Sequence, residues 1–536
     1  MAGKGKVYRS AKKRKTHHEY TTVLGVQSHR ISQRTVLRSP FFGQSGVHKM
    51  AEPATKSLSG RAKRGGLWVL VGKAFESVSR LVGNIILAWL LFREAFGVLV
   101  PVRVFLVGMQ LFSDIGIGPS IVRSKRGEDP TFLRTVWTVQ VLRGFLLYGI
   151  CWSVAGWYSK MVGQVVTEGG MREQEMIHDL ILVAGFSALF LGFRSPSWFT
   201  LDRQIAQGRK TLILVLSQSI AVATMIVWAW ISPTPLAMVA GGVTGALCQT
   251  IFSHLLLPGV SMRFKFERDA LKELFGFGRW IFLSTALIFF AAQIDRILIT
   301  ELLETAPRGD FGIAFSIAVL VPMVLAAISG SVVFPAWMES FRNPDGYHQN
   351  RVRKSRLGLI SLCIAGLVGV VTTAPTFFAI FYQDRYLGAA VITQLLCIPF
   401  WFSALIGSGS KALLVYGDSR SVSGANLLIL LAKLPACWYG FEWLGLPGFI
   451  LGLAFGNMMG LLRLHQRLAF HGTHLLKQDA FATLTLFGFG GVGYFVSVQA
   501  ATLERVPGIL LVGLVSISMA AISLQPARNL LMKRSS

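Results

Sequence analysis

Negative charge is scarce in this chain: 26 Asp and Glu stand against 53 Lys and Arg in 536 residues, and the four charged types together make up only 15%. Soluble domains carry nearer a quarter. With 52% hydrophobic residues and a mean hydropathy of +0.54, a soluble enzyme is not expected. Cysteine is also sparse. Cys151, Cys248, Cys363, Cys397 and Cys437 fall inside apolar stretches without CxxC or metal-ligand spacing, so neither a disulfide framework nor a metal site is expected. No P-loop or Gly-rich phosphate fingerprint occurs, which argues against ATP bound to this chain, and no cofactor is implied. Long polar loops are missing too. The longest outward connection, about residues 159–177, is too short for a catalytic domain outside the membrane, so a transporter is expected rather than an enzyme.

What the chain has in abundance is apolar runs of about 20 residues, the length that crosses ~30 Å of hydrocarbon as helix. Fourteen are placed, at about 66–91, 97–119, 135–158, 178–193, 211–231, 235–257, 280–300, 311–336, 357–381, 388–410, 421–440, 446–463, 480–500 and 507–525. The fold class expected is an all-α polytopic membrane protein.

Basic residues collect in cytoplasmic loops, so they test this count. The even-numbered connections and the carboxyl-terminal tail hold 26 Lys and Arg, the odd-numbered connections six. The net charge of +27 is therefore mostly topology, with both termini cytoplasmic, and nucleic acid is not an expected partner. Residues 1–64 read as a basic, disordered lead without the apolar core of a signal peptide. Met50, followed by a short polar lead into the first helix, is a candidate translation start.

A repeat is legible as well. Gly66-Leu67-Trp68 opens the first span and Phe96-Gly97 the second, while Gly278-Arg279-Trp280 and Phe311-Gly312 open the seventh and eighth at similar spacing. The unit is six helices, an even number, so both copies start from the same side. Two bundles, 65–257 and 280–470, joined by a basic linker 258–279, are expected about a pseudo-two-fold along the membrane normal, with 471–536 adding two more helices.

Several segments resemble a known family: "DIGIGPSIVRS" after the second span, "FGFGRWIF" into the seventh, "QIDRILI" near its exit, "SVVFPAW" closing the eighth, and "FYQDRYLGAAV" between the ninth and tenth. Over roughly residues 65–470 the chain resembles the polysaccharide-lipid flippases of the multidrug/oligosaccharidyl-lipid/polysaccharide export superfamily, exopolysaccharide and lipopolysaccharide branch. It departs from that branch at Thr300, where Gly is usual, and near Ala314, where a Tyr is common. The resemblance implies transfer of a polyprenyl-diphosphate-linked oligosaccharide to the periplasmic leaflet of a bacterial inner membrane, with membrane lipids, glycosyltransferases and a polysaccharide polymerase as partners.

Such a substrate needs a polar, cationic cavity, and charges within the spans are the candidates, because an ionised group in hydrocarbon must face a cavity or a counter-charge. Lys73, Glu76 and Arg80 share one face of the first helix. Arg103, Arg143 and Lys433 lie in other spans, and Asp295 and Arg296 are adjacent in the seventh. Arg80, Arg143 and Arg103, assisted by Lys73 or Lys433, are expected to receive the diphosphate. The alternative is local pairing: Lys73 and Arg80 with Glu76, and Arg296 with Asp295. Glu76 or Asp295 could bind a coupling H⁺ or Na⁺. Asp114 is expected to pair with the basic loop after it or to shape an inner gate. Two other functions stay open, a cation-coupled drug or small-molecule antiporter and a non-transporting scaffold of a polysaccharide synthesis complex.

Overall fold

A computed structural model describes residues 58–112, 117–163, 170–204, 206–257, 262–342, 348–502 and 505–532. Met50 and Asp114 lie outside these residues, and so do the expectations attached to them.

Among the described residues there is helix and no strand. The first half runs α1 (Leu58–Leu90), α2 (Arg93–Phe112), short α3 (Ile117–Arg123), α4 (Pro130–Val162), α5 (Gly170–Gly192), short α6 (Ser197–Gln204), α7 (Gln207–Ile231) and α8 (Leu236–Leu255). The second half runs α9 (Arg268–Leu302), α10 (Thr305–Ala318), α11 (Leu320–Ile328), a π-type turn Ser329–Val333, α12 (Phe334–Arg342), α13 (His348–Phe381), α14 (Leu387–Val415), α15 (Ser419–Leu444) and α16 (Leu446–Phe470). α17 (Leu476–Thr502) and α18 (Arg505–Met532) follow. The described residues of the fourteen expected stretches fall almost entirely on helix. Eleven helices among the described residues are long and apolar enough to cross a membrane.

Helix ends follow local chemistry. Asp129 caps α4 by accepting from the Thr131 amide, with Pro130 in the first turn, where its missing N–H costs nothing. α15 stops at Gly445, whose φ of +62° suits only a residue without Cβ, and α16 starts from the same residue. Past that turn the two helices run so close that a Cβ on Gly440 or Gly448 would meet the other's carbonyl.

The eighth span differs from expectation. It runs from Thr305 to Arg342 and is broken twice. Pro322 lacks an N–H and its ring crowds the carbonyl of Ala318, the last residue of α10; Pro335 does the same to Ser331, inside the π-type turn.

α1, α2, α4, α5, α7 and α8 pack against one another, as do α10, α13, α14, α15 and α16, while α17 and α18 lie on α13. The two sets meet through α2 against α9 and α10. Large apolar side chains such as Trp230, Trp443 and Phe470 point outward, as they do in a protein solvated by lipid rather than water. The chain is a multi-pass membrane protein.

Candidate functional site

α1 and α2 carry the first two cations that matter. Arg80 sits ten residues before the end of α1 and Arg103 ten residues after the start of α2, so each lies roughly 15 Å inside the same face of the molecule at 1.5 Å per residue. Both line one cavity of about 230 Å³ between α1, α2, α9, α10 and α11, and a third guanidinium, Arg296 of α9, joins them. Arg296 is held over the Phe315 ring at 4.3 Å and donates to Gln293 Oε1 at 2.9 Å. Arg103 donates no hydrogen bond and has no ion pair among the described residues. The charges that act on it are Arg80 and Arg296, both of its own sign. Ser77, Asn84 and Ser316 add hydroxyl and amide groups to the wall, the Asn84 amide donating to Ser316 Oγ across the two halves at 3.3 Å. Three cations, uncharged hydrogen-bonding groups and Phe311 and Phe315 suit a phosphorylated, sugar-bearing headgroup.

The cavity is shut on one side. Beyond its inner end, the start of α2 packs onto α10 so tightly that a Cβ on Gly97 would strike the Thr305 carbonyl, and one on Gly309 the Arg93 carbonyl. Arg93 forms an ion pair with buried Asp310, Nε to Oδ1 being 3.0 Å. Arg308, with no exposed surface, donates to Glu173 Oε1 at 2.9 Å and to the carbonyls of Thr300 and Leu303; Thr305 Oγ1 donates to the other Glu173 oxygen at 2.8 Å. Arg385 donates to the carbonyls of Ala88 and Leu91 at the end of α1. In the sequence Arg93, Arg308, Arg385 and Glu173 read as loop charges. Nothing in their spacing announces that four connections converge.

The remaining expected residues separate. Lys73 and Arg80 both pair with Glu76 at 2.6 Å, as the pairing alternative has it, but only Arg80 reaches the cavity. Asp295 does not pair with Arg296. It turns to Lys433 of α15, Nζ to Oδ1 3.6 Å, in a mostly buried pair away from the cavity lining. Neighbours on a helix point about 100° apart, so adjacency in sequence works against that pairing. Arg143 lies in a different cavity, inside the first bundle, and donates to the Gln110 carbonyl at 2.9 Å. The five cations expected together are thus dispersed: two stay, Arg296 is added, and Lys73, Arg143 and Lys433 lie elsewhere.

On the face bearing the basic connections, Arg126 clamps the loop before α4 to the residue before α9. It pairs with Glu267 at 2.8 Å and Asp129 at 2.6 Å; the two carboxylates raise its pKa, Glu267 first, and Arg126 in turn holds Asp129 below the usual carboxylate range, helped by the Thr131 amide. Arg356 of α13, fully buried, is held by Asp479 of α17 at 2.8 Å and donates to Ser408 Oγ at 3.0 Å; His465 of α16 completes the group, 3.2 Å from Asp479. These charges fasten the carboxyl-terminal helix pair to the second bundle.

Similar proteins share this architecture. The chain is similar to the inward closed conformation of the lipid II flippase MurJ with a TM-score of 0.68, at 12% identity over 87% of this chain and 99% of that one. An inward-facing multidrug resistance transporter of the MATE family superposes with a TM-score of 0.56, at 13% identity over 77% and 95%. In sequence it is 20% identical to the lipopolysaccharide biosynthesis protein WzxC of Escherichia coli (strain K12) over 74% of this chain and 78% of that one. It is 20% identical to the teichuronic acid biosynthesis protein TuaB of Bacillus subtilis (strain 168), over 62% and 67%. A putative O-antigen transporter of Shigella flexneri is 21% identical over 71% and 91%. Residues 86–391, more than half of the sequence, match a family described as polysaccharide biosynthesis protein, and the chain belongs to that family.

Proposed function

We propose that the chain is a flippase for a polyprenyl-diphosphate-linked oligosaccharide, moving the headgroup across the membrane while the polyprenyl tail stays in lipid. One observation carries the reading: Arg80, Arg103 and Arg296 come from three helices of both bundles to one cavity, with Arg103 lacking a counter-charge among the described residues. Like charges gathered in a low-dielectric interior repel, and a diphosphate converts that repulsion into attraction. Glu76 offsets part of the charge, so the site attracts an anion without holding it irreversibly.

In this reading the face of the basic connections, with both termini, lies on the cytoplasmic side of a bacterial inner membrane. The sealed end then faces the periplasm, and the cavity is poised to load from the cytoplasmic leaflet. Rocking of the bundles 65–257 and 280–470 about their α2–α9–α10 contact delivers the headgroup to the other leaflet. Glycosyltransferases that build the oligosaccharide and a polymerase that consumes it are the partners this chemistry requires. A drug antiporter is a poorer fit, because three guanidiniums repel a cationic drug.

The test is transfer of a fluorescent polyprenyl-diphosphate sugar across proteoliposomes containing the purified chain. Substituting Arg80, Arg103 and Arg296 together by Ala should abolish transfer while leaving the protein monodisperse; undiminished transfer would reject the assignment.

A further inference from the structure

The second bundle holds a cavity of about 200 Å³ between α11, α13 and α14. Only α11 stands between it and the Arg80 cavity: Leu320 and Met323 line the Arg80 cavity, while Pro322, Leu325 and Ser329 line this one. Its inner part is apolar, walled by the buried side chains of Leu325, Leu359, Cys363, Trp401 and Leu405. Protein interiors pack as densely as organic crystals, and an apolar cavity of ~150 Å³ already stays dry and admits benzene. On that scale this void takes hydrocarbon of about one isoprenyl unit or slightly more.

Its outer part is polar. Lys411 Nζ reaches across from α14 and donates to the Ala326 carbonyl at 3.2 Å, close to the π-type turn. An ammonium carries three donors, and that bond uses one. Ser329 is 4% exposed, and its buried Oγ has no hydrogen-bond partner among the described residues. Ala326, Ser403 and Gly407 are exposed, which opens the crevice between α11 and α14. Polarity follows depth: Lys411 stands four residues, roughly 6 Å, from the end of α14, and Trp401 ten residues deeper, roughly 15 Å further in. The cation is thus at headgroup level on the face bearing the basic connections, and the apolar end lies within hydrocarbon. That is the orientation of a lipid from that leaflet. One narrow void seats one chain, which suits a single-chain polyprenyl diphosphate better than a diacyl phospholipid.

We infer that this crevice is a loading station for the lipid end of the substrate. The first isoprenyl unit enters the void, the rest of the chain stays in the membrane, and a phosphate oxygen accepts from Lys411 and Ser329 Oγ. The headgroup then passes α11, a helix about 10 Å across, into the Arg80 cavity. The inference rests on the flippase reading for its role in transport, but the site itself is tested by binding.

The probe is geranylgeranyl diphosphate carrying a diazirine on its first isoprene unit, photolysed with the purified chain in phosphatidylcholine nanodiscs and mapped by peptide mass spectrometry. The label should fall on the α11, α13 or α14 residues that line the void. Lys411→Gln, which removes the cation, and Ala404→Phe, which fills the void, should each weaken labelling at least tenfold. Lys411→Arg should restore part of it, and the combined Ala substitution of Arg80, Arg103 and Arg296 should leave it in place. Equal labelling in wild type, Lys411→Gln and Ala404→Phe overturns the proposal. So does displacement of the probe by phosphatidylglycerol as readily as by unlabelled geranylgeranyl diphosphate, which would assign the crevice to a phospholipid. Absence of sugar transfer by wild-type proteoliposomes, with this labelling intact, counts against the flippase reading and leaves the prenyl-diphosphate site standing.

Discussion

Arg93 at the start of α2 and Asp310 within α10 hold each other across the two bundles by two contacts, Nε to Oδ1 and a terminal nitrogen to Oδ2. Asp310 is 5% exposed at its side chain, so the carboxylate has little water to fall back on. Removing one member of a buried pair strands the other, at a cost of about 3–5 kcal/mol. Arg93→Ala should therefore loosen the seal on the face opposite the basic loops. A Cys placed at Ser316, in the cavity wall, should then be labelled from that face by an impermeant maleimide at least tenfold faster than in the otherwise unchanged cysteine-free protein. Equal labelling rates would show that the glycine contacts alone keep it closed.

Glu76 sits between Lys73 and Arg80 and neutralises one of them. Glu76→Gln leaves the helix intact and adds one net positive charge beside the cavity. Pyrophosphate binding at that cavity should tighten several-fold and become more sensitive to salt. Slower release should reduce turnover of the lipid-linked substrate, measured in the same proteoliposomes.

Lys433, buried, and Asp295, 15% exposed at its side chain, face each other at 3.6 Å. Lys433→Met or Asp295→Asn alone should lower the melting temperature clearly, by the equivalent of about 3–5 kcal/mol, whereas the double substitution should cost much less. Additive losses in a thermal double-mutant cycle would mean that the two groups are stabilised by something other than each other.

Asp418 caps α15 by accepting from the Ser421 amide at 3.1 Å and hydroxyl at 2.7 Å, with His471 at 3.4 Å. Those bonds, Ser421 first, hold its carboxyl below the usual carboxylate range. A depressed carboxylate stabilises the fold at pH values above its unfolded pKa, and that contribution disappears as pH falls through the lower folded value. Asp418→Ala should cost about 1 kcal/mol at neutral pH. The difference from wild type should shrink in melts carried below about pH 4.

Arg80 and Arg103 are legible in the sequence because an arginine inside an apolar run has few tolerable surroundings, and α1 and α2 offer them one cavity. Arg296 is not, since adjacency suggests a pair with Asp295 whereas helical geometry turns the two apart. Arg143 shows the converse limit: its depth is clear from its place in the third span, but which of two cavities it enters depends on the rotation of α4 about its axis. The helices themselves are plain from apolar length. The closure is hidden, because Arg308, with no exposed surface, and Arg93 sit at helix ends where a charge ordinarily meets water. The family resemblance rests on short segments spread along the chain, and the match over residues 86–391 spans all five of them.

The broken eighth span has a mechanical consequence. Its first segment, α10, is bolted to α2 through Asp310 and Gly309, while its last, α12, packs against α13 and α14 of the second bundle. Between them, Pro322 and the wide turn at Ser329–Val333 interrupt the ladder that would make this rod stiff. The lower portion can thus swing with its own bundle while the upper portion stays latched. In the proposed flippase, such a break would let the vestibule adjust to saccharides of different bulk before the latch lets go.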